Sequence, residues 1–461
     1  MKQRIKLLFA CSCVAAWSAG SLAQSFTWYA STEGNTWKTS TVKMSKRAAD
    51  AHVTVEEHVA PIVEFKAWGA TFNELDWDAL GMLTRDEQDE ILKNVFSPEG
   101  DLRISRGRIS MNANDYARSW YSCDEVAGDL ELRYFNIDRD KQSIIPFIRA
   151  AQKYNPGLTF WTSPWCPPSW MKITGDYPVL SSKFNHMPEK MNYILYGNVN
   201  DKVDPDEMKL VGRRGDKFPR QLATTDYFIQ DPRYLQAYAN YFCKFIDAYK
   251  EQGVNIDMVI YQNEAYSYTP YPGCAWTAEG TVRFNRDYLG PTLRQKHPEV
   301  KLYLGTFNTN RVDYVQKIAS DTKLQEYVSG MAFQWEGRES LPVLRKEHPE
   351  WNYMCSESEC GWGSFDWGAG EHTFELMNHY LGNGCNEYTF WNFILADNGE
   401  SPWGWKQNAR YPGGFQGTHV YLYSGVFCRE ALQPFHHERQ SGGGLQSPRG
   451  RQDAGIGQPH A

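Results

Sequence analysis

The 461-residue chain has no basic excess: 48 Lys and Arg stand against 55 Asp and Glu, a formal net charge of −7. Phosphate binding needs a concentrated basic face, and none is present, which argues against a nucleic-acid partner. It has no C-x-x-C pair and no His–Cys cluster, so a zinc site is not expected. Beyond the N-terminal run no stretch approaches the ~20 apolar residues that span a bilayer, so no transmembrane anchor is expected. Two of the ten cysteines fall within residues 1–23. The others are spaced too widely and irregularly for a small stapled scaffold, and most are expected to be packed thiols.

Lys2, Arg4 and Lys6 precede the apolar run Leu7 to Trp17, and Ala19-Gly20-Ser21-Leu22-Ala23 offers a cleavage site before Gln24. This pattern predicts a secretory signal peptide over residues 1–23, hence a secreted or periplasmic product. Cys11 sits too early in the run for a lipoprotein anchor. The 17 tryptophans can stack on sugar rings, but composition alone favours a Trp-rich core.

Strand and helix patterns alternate from Ala67 onward. Strands are expected at Ala67–Glu74, Ile104–Met111, Leu158–Trp165, Asp257–Glu264, Lys301–Asn308, Ser329–Trp335, Trp351–Glu357 and Glu387–Leu395. A helix from Thr84 to Val95 follows the first, with Thr84 and Glu87 in capping-box spacing. Eight such units imply a (β/α)8 TIM barrel over 65–408. Residues 24–64 form an extended N-terminal segment, and Met171 to about Thr225 reads as a long loop or lid.

Residues 409–461 carry Gly-rich and Arg/Gln-rich stretches without periodicity, and an aberrant, disordered tail is expected there. A frameshift is the expected origin of such a tail. The codons allowed for Leu422 to Pro434, read one base out of register, can spell Thr-Tyr-Thr-Pro-Glu-Tyr-Phe-Ala-Val-Lys-His-Tyr, which looks like protein where the written frame does not.

Two strands end on carboxylates. The apolar run from Asp257 closes on Gln262-Asn263-Glu264, and Trp351-Asn352-Tyr353-Met354-Cys355-Ser356-Glu357 closes on Glu357. Carboxylates at the C-terminal ends of different barrel strands can face each other across a cleft, as glycoside hydrolysis requires. Taken singly, a strand-end glutamate is more often a rim ion pair, and a lone tryptophan is as often core as platform. The ordered set is what carries weight.

Gln262-Asn263-Glu264, Ser356-Glu357-Ser358-Glu359-Cys360-Gly361 and Gly69-Ala70-Thr71-Phe72-Asn73-Glu74 together resemble glycoside hydrolase family 30, the glucosylceramidase-like retaining β-glycosidases. The resemblance runs from about Phe65 to Asn408. It implies a barrel flanked by a β-sandwich built from the segments before and after it, incomplete here if the tail is frameshifted. It also implies Glu264 as acid/base and Glu357 as nucleophile, with Glu359 the rival for the second role. Arg108, Asp115, Trp165, Asn263, Trp391 and Asn392 match positions around the sugar, and Trp335 is a further candidate platform. Glu74 is expected to be structural.

The reaction so implied needs no metal or organic cofactor. Ser356–Gly361 and the segment Asn73–Asp78 look closest to the branch that cleaves β-1,6-glucan. A β-1,6-glucanase acting on β-glucan is thus the first expectation, and a glucosylceramidase or exo-β-glucosidase/xylosidase acting on other β-glucosides is the second. A catalytically silent glycan-binding protein is the alternative from another class. Oligomeric state and disulfide pairing are not legible in the sequence.

Overall fold

The computed structural model describes residues 62–188, 226–267, 269–358, 361, 366–392, 394–396, 399–404 and 406–407, with short segments at 10–12, 25–33, 35–43, 54–56, 411–413 and 444–446. The expected signal peptide apart from Ala10–Ser12, the expected loop from 189 to 225, Glu359, and all but six residues of the expected tail lie outside the described residues.

Eight parallel strands close into a barrel in chain order: β1 Ala67–Phe72, β2 Arg106–Met111, β3 Thr159–Pro164, β4 Ile256–Ile260, β5 Lys301–Phe307, β6 Val328–Gln334, β7 Asn352–Ser358 and β8 Glu387–Phe390. They are near-continuous buried runs, as strands covered on both faces must be. Helices form the outer layer. Thr84 caps the helix Arg85–Phe96 through the expected capping box with Glu87. The 20-residue helix Pro232–Glu251 buries Leu235, Tyr238, Phe242, Phe245 and Tyr249, one apolar stripe at helical spacing, against the barrel.

Alternation along β2 builds the interior. Arg106, Arg108 and Ser110 share one face, two residues apart. Arg106 seals the floor, paired with Asp257 of β4 at 2.6 Å and Glu387 of β8 at 3.2 Å. Gly107, facing outward between them, has no room for a side chain: a Cβ would meet the Phe160 and Phe72 rings at 2.4 and 2.8 Å. Inside, Trp161, Met258, Ile260, Tyr303, Ala332 and Met354 fill the barrel. Arg108 and the C-terminal strand ends lie above this plug, on the face where barrel enzymes keep their chemistry.

Two strands depart furthest from the expected ends. β4 stops at Ile260, so Asn263 and Glu264 stand on the loop beyond it, and the last expected strand divides into Glu387–Phe390 and Ile394–Ala396. Outside the barrel, Ala10–Ser12, Ser25–Thr32 and Asn35–Lys43 form a three-stranded antiparallel sheet, and Thr54–Glu56 pairs with Gly444–Gln446. Glu74 is buried and structural as expected: it pairs with Arg139 at 2.9 Å and accepts from Ser143 and from the Arg118 N–H.

Candidate active site

The ladder between β6 and β7 decides where the second carboxylate points. Met354 faces into the barrel, so strict alternation would send Glu357 outward toward the helices. The register slips between Phe333 and Gln334 on one side of β7 and between Cys355 and Ser358 on the other. Glu357 is thereby turned inward, opposite Gln334, as bulges beside active sites re-aim side chains.

Arg108 meets it there. Its Nη1 donates to Glu357 Oε2 at 2.5 Å, and its Nη2 donates to Asn263 Oδ1 at 2.7 Å and Ser163 Oγ at 3.2 Å. The guanidinium is wholly buried in a cage of Trp161, Trp165 and Trp391, with ring centroids 4.8, 4.3 and 5.3 Å away. Burial pushes its pKa down and the charge of Glu357 pushes it up; an arginine stays protonated under both.

Glu264 arrives by a strained route. Its backbone is left-handed, φ +46°, a conformation that costs a non-glycine residue on the order of 1 kcal/mol or more and clusters at functional sites. Its N–H donates to Thr306 O at 3.0 Å, and Asn308 Nδ2 donates to its Oε1 at 3.1 Å. Asn308 is itself oriented, because its Oδ1 accepts the Glu336 N–H at 3.1 Å.

Asn263 Oδ1 accepts from Arg108, from Thr306 Oγ1 at 2.9 Å and from Gln334 Nε2 at 2.8 Å. Three donors fix that amide, and its Nδ2 faces away from them. Asp115 is buried, and its Oδ1 has no hydrogen-bond partner among the described residues; the same holds for Trp391 Nε1. An acceptor and a donor stand unused in a wall where Trp165 stacks on Trp391 at 4.9 Å and Tyr116 meets Trp391 edge-on.

The carboxyls feel one another. Burial pushes Glu357 up to about 7, Arg108 opposes that, and the charge of Glu264 adds to it. Asp115 is raised well above the ordinary carboxylate range, first by burial and then by Glu357 and Glu264.

The structure thus gathers Arg108, Asp115, Trp165, Asn263, Glu264, Glu357 and Trp391 at one end of the barrel. Asn392 is a support: its Oδ1 accepts from Asn73 and its Nδ2 donates to Gln407, so both polar ends are engaged. Trp335 is half-buried at the start of the short helix Trp335–Glu339, outside the Trp165–Trp391 cluster. Tyr271, Gln334, Asn308 and Thr306 belong to the site and were missed. Tyr271 is buried close enough to Glu264, Asp115 and Glu357 for their charges to raise its hydroxyl pKa, after burial itself. Polar residues at the ends of β5 and β6 were the signal that could have found Asn308 and Gln334.

Residues 65–183 and 228–409 match the family model described as the glycosyl hydrolase family 30 TIM-barrel domain. The chain belongs to glycosyl hydrolase family 30. Among the relatives of this family 30 chain, putative glucosylceramidase 1 of Caenorhabditis elegans is 27% identical over 357 residues, 73% of this chain and 60% of that protein. Endo-1,6-beta-D-glucanase neg1 of Aspergillus fumigatus is 24% identical over 284 residues, 61% of this chain and 50% of that protein. The solved structure of the endo-beta1,6-glucanase BT3312 shares the fold, with TM-score 0.68, 21% identity, and coverage of 88% of this chain and 83% of that one. The chain spans about 60% of the length of the first curated relatives it matches. The matched model is that of a glycosyl hydrolase family. No helix among its described residues is long and apolar enough to cross a membrane.

Proposed function

We propose that the chain is a retaining β-glycosidase with Glu357 as nucleophile and Glu264 as acid/base, acting on β-glucosidic bonds, those of β-1,6-glucan first. The observation that carries this reading is a buried strand-end carboxylate, 7% exposed, bonded to a caged arginine and within electrostatic reach of a second strand-end carboxylate.

Retention needs one carboxylate ionised and the other protonated before attack. The charge of Glu264 raises the pKa of Glu357, after burial, and Arg108 opposes both. The anion goes to Glu357, which Arg108 contacts, and the proton to Glu264. Glu357 attacks the anomeric carbon while Glu264 gives its proton to the departing oxygen; Glu264 then takes a proton from the water that opens the ester. Asn263 Nδ2 supplies the 2-hydroxyl bond that strengthens at the transition state. Asp115 Oδ1 and Trp391 Nε1 accept from and donate to further hydroxyls, and Trp165 and Trp391 wall the ring. Nucleophile and acid/base carry the whole reaction, with no metal or organic cofactor.

The motifs Ser356–Gly361 and Asn73–Asp78 favour β-1,6-glucan, as do relatives named endo-1,6-beta-D-glucanase. Glucosylceramidase is the second reading, carried by the names of the worm and mouse relatives. Export is part of the proposal and rests on the pattern of residues 1–23. Incubation with linear β-1,6-glucan and, separately, glucosylceramide, each beside Glu264→Gln, tests it. Oligosaccharides from the glucan are the expected result. Turnover of the lipid alone moves the assignment to the second reading, and glycan binding without Glu264-dependent turnover refutes both.

A further inference from the structure

Gln334 is a buried amide placed where two functional groups meet. It ends β6, and its Nε2 has three acceptors in reach: Asn263 Oδ1 at 2.8 Å, Thr306 Oγ1 at 2.9 Å and Glu357 Oε2 at 3.2 Å. Its Oε1 has no hydrogen-bond partner among the described residues. The amide cannot be turned over, since Oε1 would then face Asn263 Oδ1 and Glu357 Oε2, an amide oxygen and a carboxylate with no hydrogen to give. A bare buried carbonyl is destabilising, so stability alone would favour an apolar side chain here. The sheet points the same way, because the slip between Phe333 and Gln334 is what sets Gln334 opposite Glu357.

We propose that Gln334 is a positioning residue of the glycosidase reaction, the link that holds the nucleophile and the 2-hydroxyl donor in register with each other. The inference rests on the reading of Glu357 as nucleophile. Gln334 and Arg108 both donate to Glu357 Oε2, which leaves Oε1 as the oxygen presented to the anomeric carbon. When the Oε1–carbon bond forms, the carbon–oxygen bond to the leaving group breaks and Glu264 protonates that oxygen. Oε2 becomes the carbonyl oxygen of the ester, and the neutral amide of Gln334 donates to it before and after. On its other side the same NH2 is one of the three donors that hold Asn263 Oδ1, and so it aims Asn263 Nδ2 at the sugar.

The test compares the full chain with Gln334→Met and with the isosteric Gln334→Glu, on 4-nitrophenyl β-glucoside and its 2-deoxy analogue, with kcat/KM followed against pH. Gln334→Met is expected to lower kcat/KM on the glucoside by about 10- to 100-fold and to move the acid limb up by about half to one pH unit. On the 2-deoxy substrate the loss is expected to be several-fold smaller, because the aim of Asn263 no longer matters there. Gln334→Glu keeps the shape and sets an anion beside Glu357, and its acid limb is expected to move further up. Equal losses on both substrates with unmoved limbs would overturn the proposal, since a merely structural residue behaves that way. Trapping with a 2-fluoro glucoside separates the two readings. If label still attaches in Glu357→Gln, the nucleophile assignment fails and the Gln334 proposal with it. If label depends on Glu357 while the Gln334 variants match the parent, the Gln334 proposal alone fails.

Discussion

Replacing Arg108 by Met removes the cation that, among the described residues, is bonded to Glu357, the proposed nucleophile, while keeping a long apolar side chain among the three indole rings. Glu357 then loses the charge of Arg108 and its hydrogen bond, which oppose its raised pKa, while burial and the charge of Glu264 stay. A hydrogen bond to a charged group contributes about 1.5–3 kcal/mol, and 1.36 kcal/mol corresponds to one pH unit, so the shift is about 1–2 units upward from a starting value near 7. As the proposed nucleophile, Glu357 must be ionised to attack. The acid limb of kcat/KM on an aryl β-glucoside is therefore expected to move to higher pH by that amount, since this parameter reports groups of the free enzyme. Overall rate falls as well, because Asn263 loses a donor, so limb position and not height is diagnostic. Arg108→Lys keeps the charge but cannot serve Glu357 and Asn263 at once; it should lower the rate with a smaller shift. Stability carries a matching sign. A carboxyl whose folded pKa lies above its unfolded value gives stability that is full below about 4.5 and is lost as pH rises through the folded pKa. Thermal melts of Arg108→Met are thus expected to fall between pH 5 and 8 more steeply than those of the parent. An acid limb that stays in place, or moves down, refutes the electrostatic role given to Arg108.

Glu357→Gln is expected to abolish labelling by a 2-fluoro glucoside, checked by intact-protein mass; label persisting there would return Glu359 to consideration. Glu264→Gln is expected to lose about 10²–10⁴-fold on substrates with poor leaving groups and far less on activated aryl glucosides, with azide restoring turnover to a β-glucosyl azide. Asp115→Asn replaces a carboxyl raised by burial and by two neighbouring charges with a permanently neutral group. Its melting temperature should exceed the parent's at pH 8 and converge with it near pH 4, while KM for the glucoside rises. A gene recoded so that Leu422 to Pro434 read in the shifted frame is expected to give more soluble protein with a higher Tm; an unchanged melt would count against the frameshift.

What the sequence revealed and what it hid divide by how local the determinant is. Barrel strands announce themselves as buried apolar runs, and the polar residues that close them, Asn263-Glu264 and Ser356-Glu357, are adjacent to those runs. Arg108 could be read only through the family resemblance, since Arg106, two residues earlier on the same strand, carries the same charge and serves the floor. The inward turn of Glu357 could not, since strict alternation from Met354 points it outward and the slip that reverses it is a property of two ladders. Gln334 was hidden for a related reason. Its worth lies in Asn263, Thr306 and Glu357, which come from three other strand ends, whereas the neighbouring Trp335 drew attention by its chemistry alone. Asn392, a strand-end amide read from the family resemblance, bonds to Asn73 and Gln407, partners far from it in sequence that no local pattern announces.

The two arginines of β2 show how one strand can carry a stable floor and a reactive roof. Arg106 lies between two carboxylates drawn from β4 and β8, and none of the three is asked to react. Two residues on, Arg108 answers to three carboxyls, Glu357, Glu264 and Asp115, each of which its charge feels. One cation faces three carboxyls, and the deficit appears where it should: burial first and then both glutamates raise Asp115, and burial first and then Glu264 raises Glu357. The roof therefore retains a proton near neutral pH. A retaining mechanism needs such a proton before the sugar arrives, on a carboxyl other than the nucleophile. In the proposed mechanism Arg108, bonded to Glu357, sets which carboxyl goes without it. Adding a second cation to this layer, for example by Asn308→Lys beside Glu264, should therefore strip the acid of its proton and collapse the basic limb. Loss at the acid limb instead would mean that the proton was never held where this argument puts it.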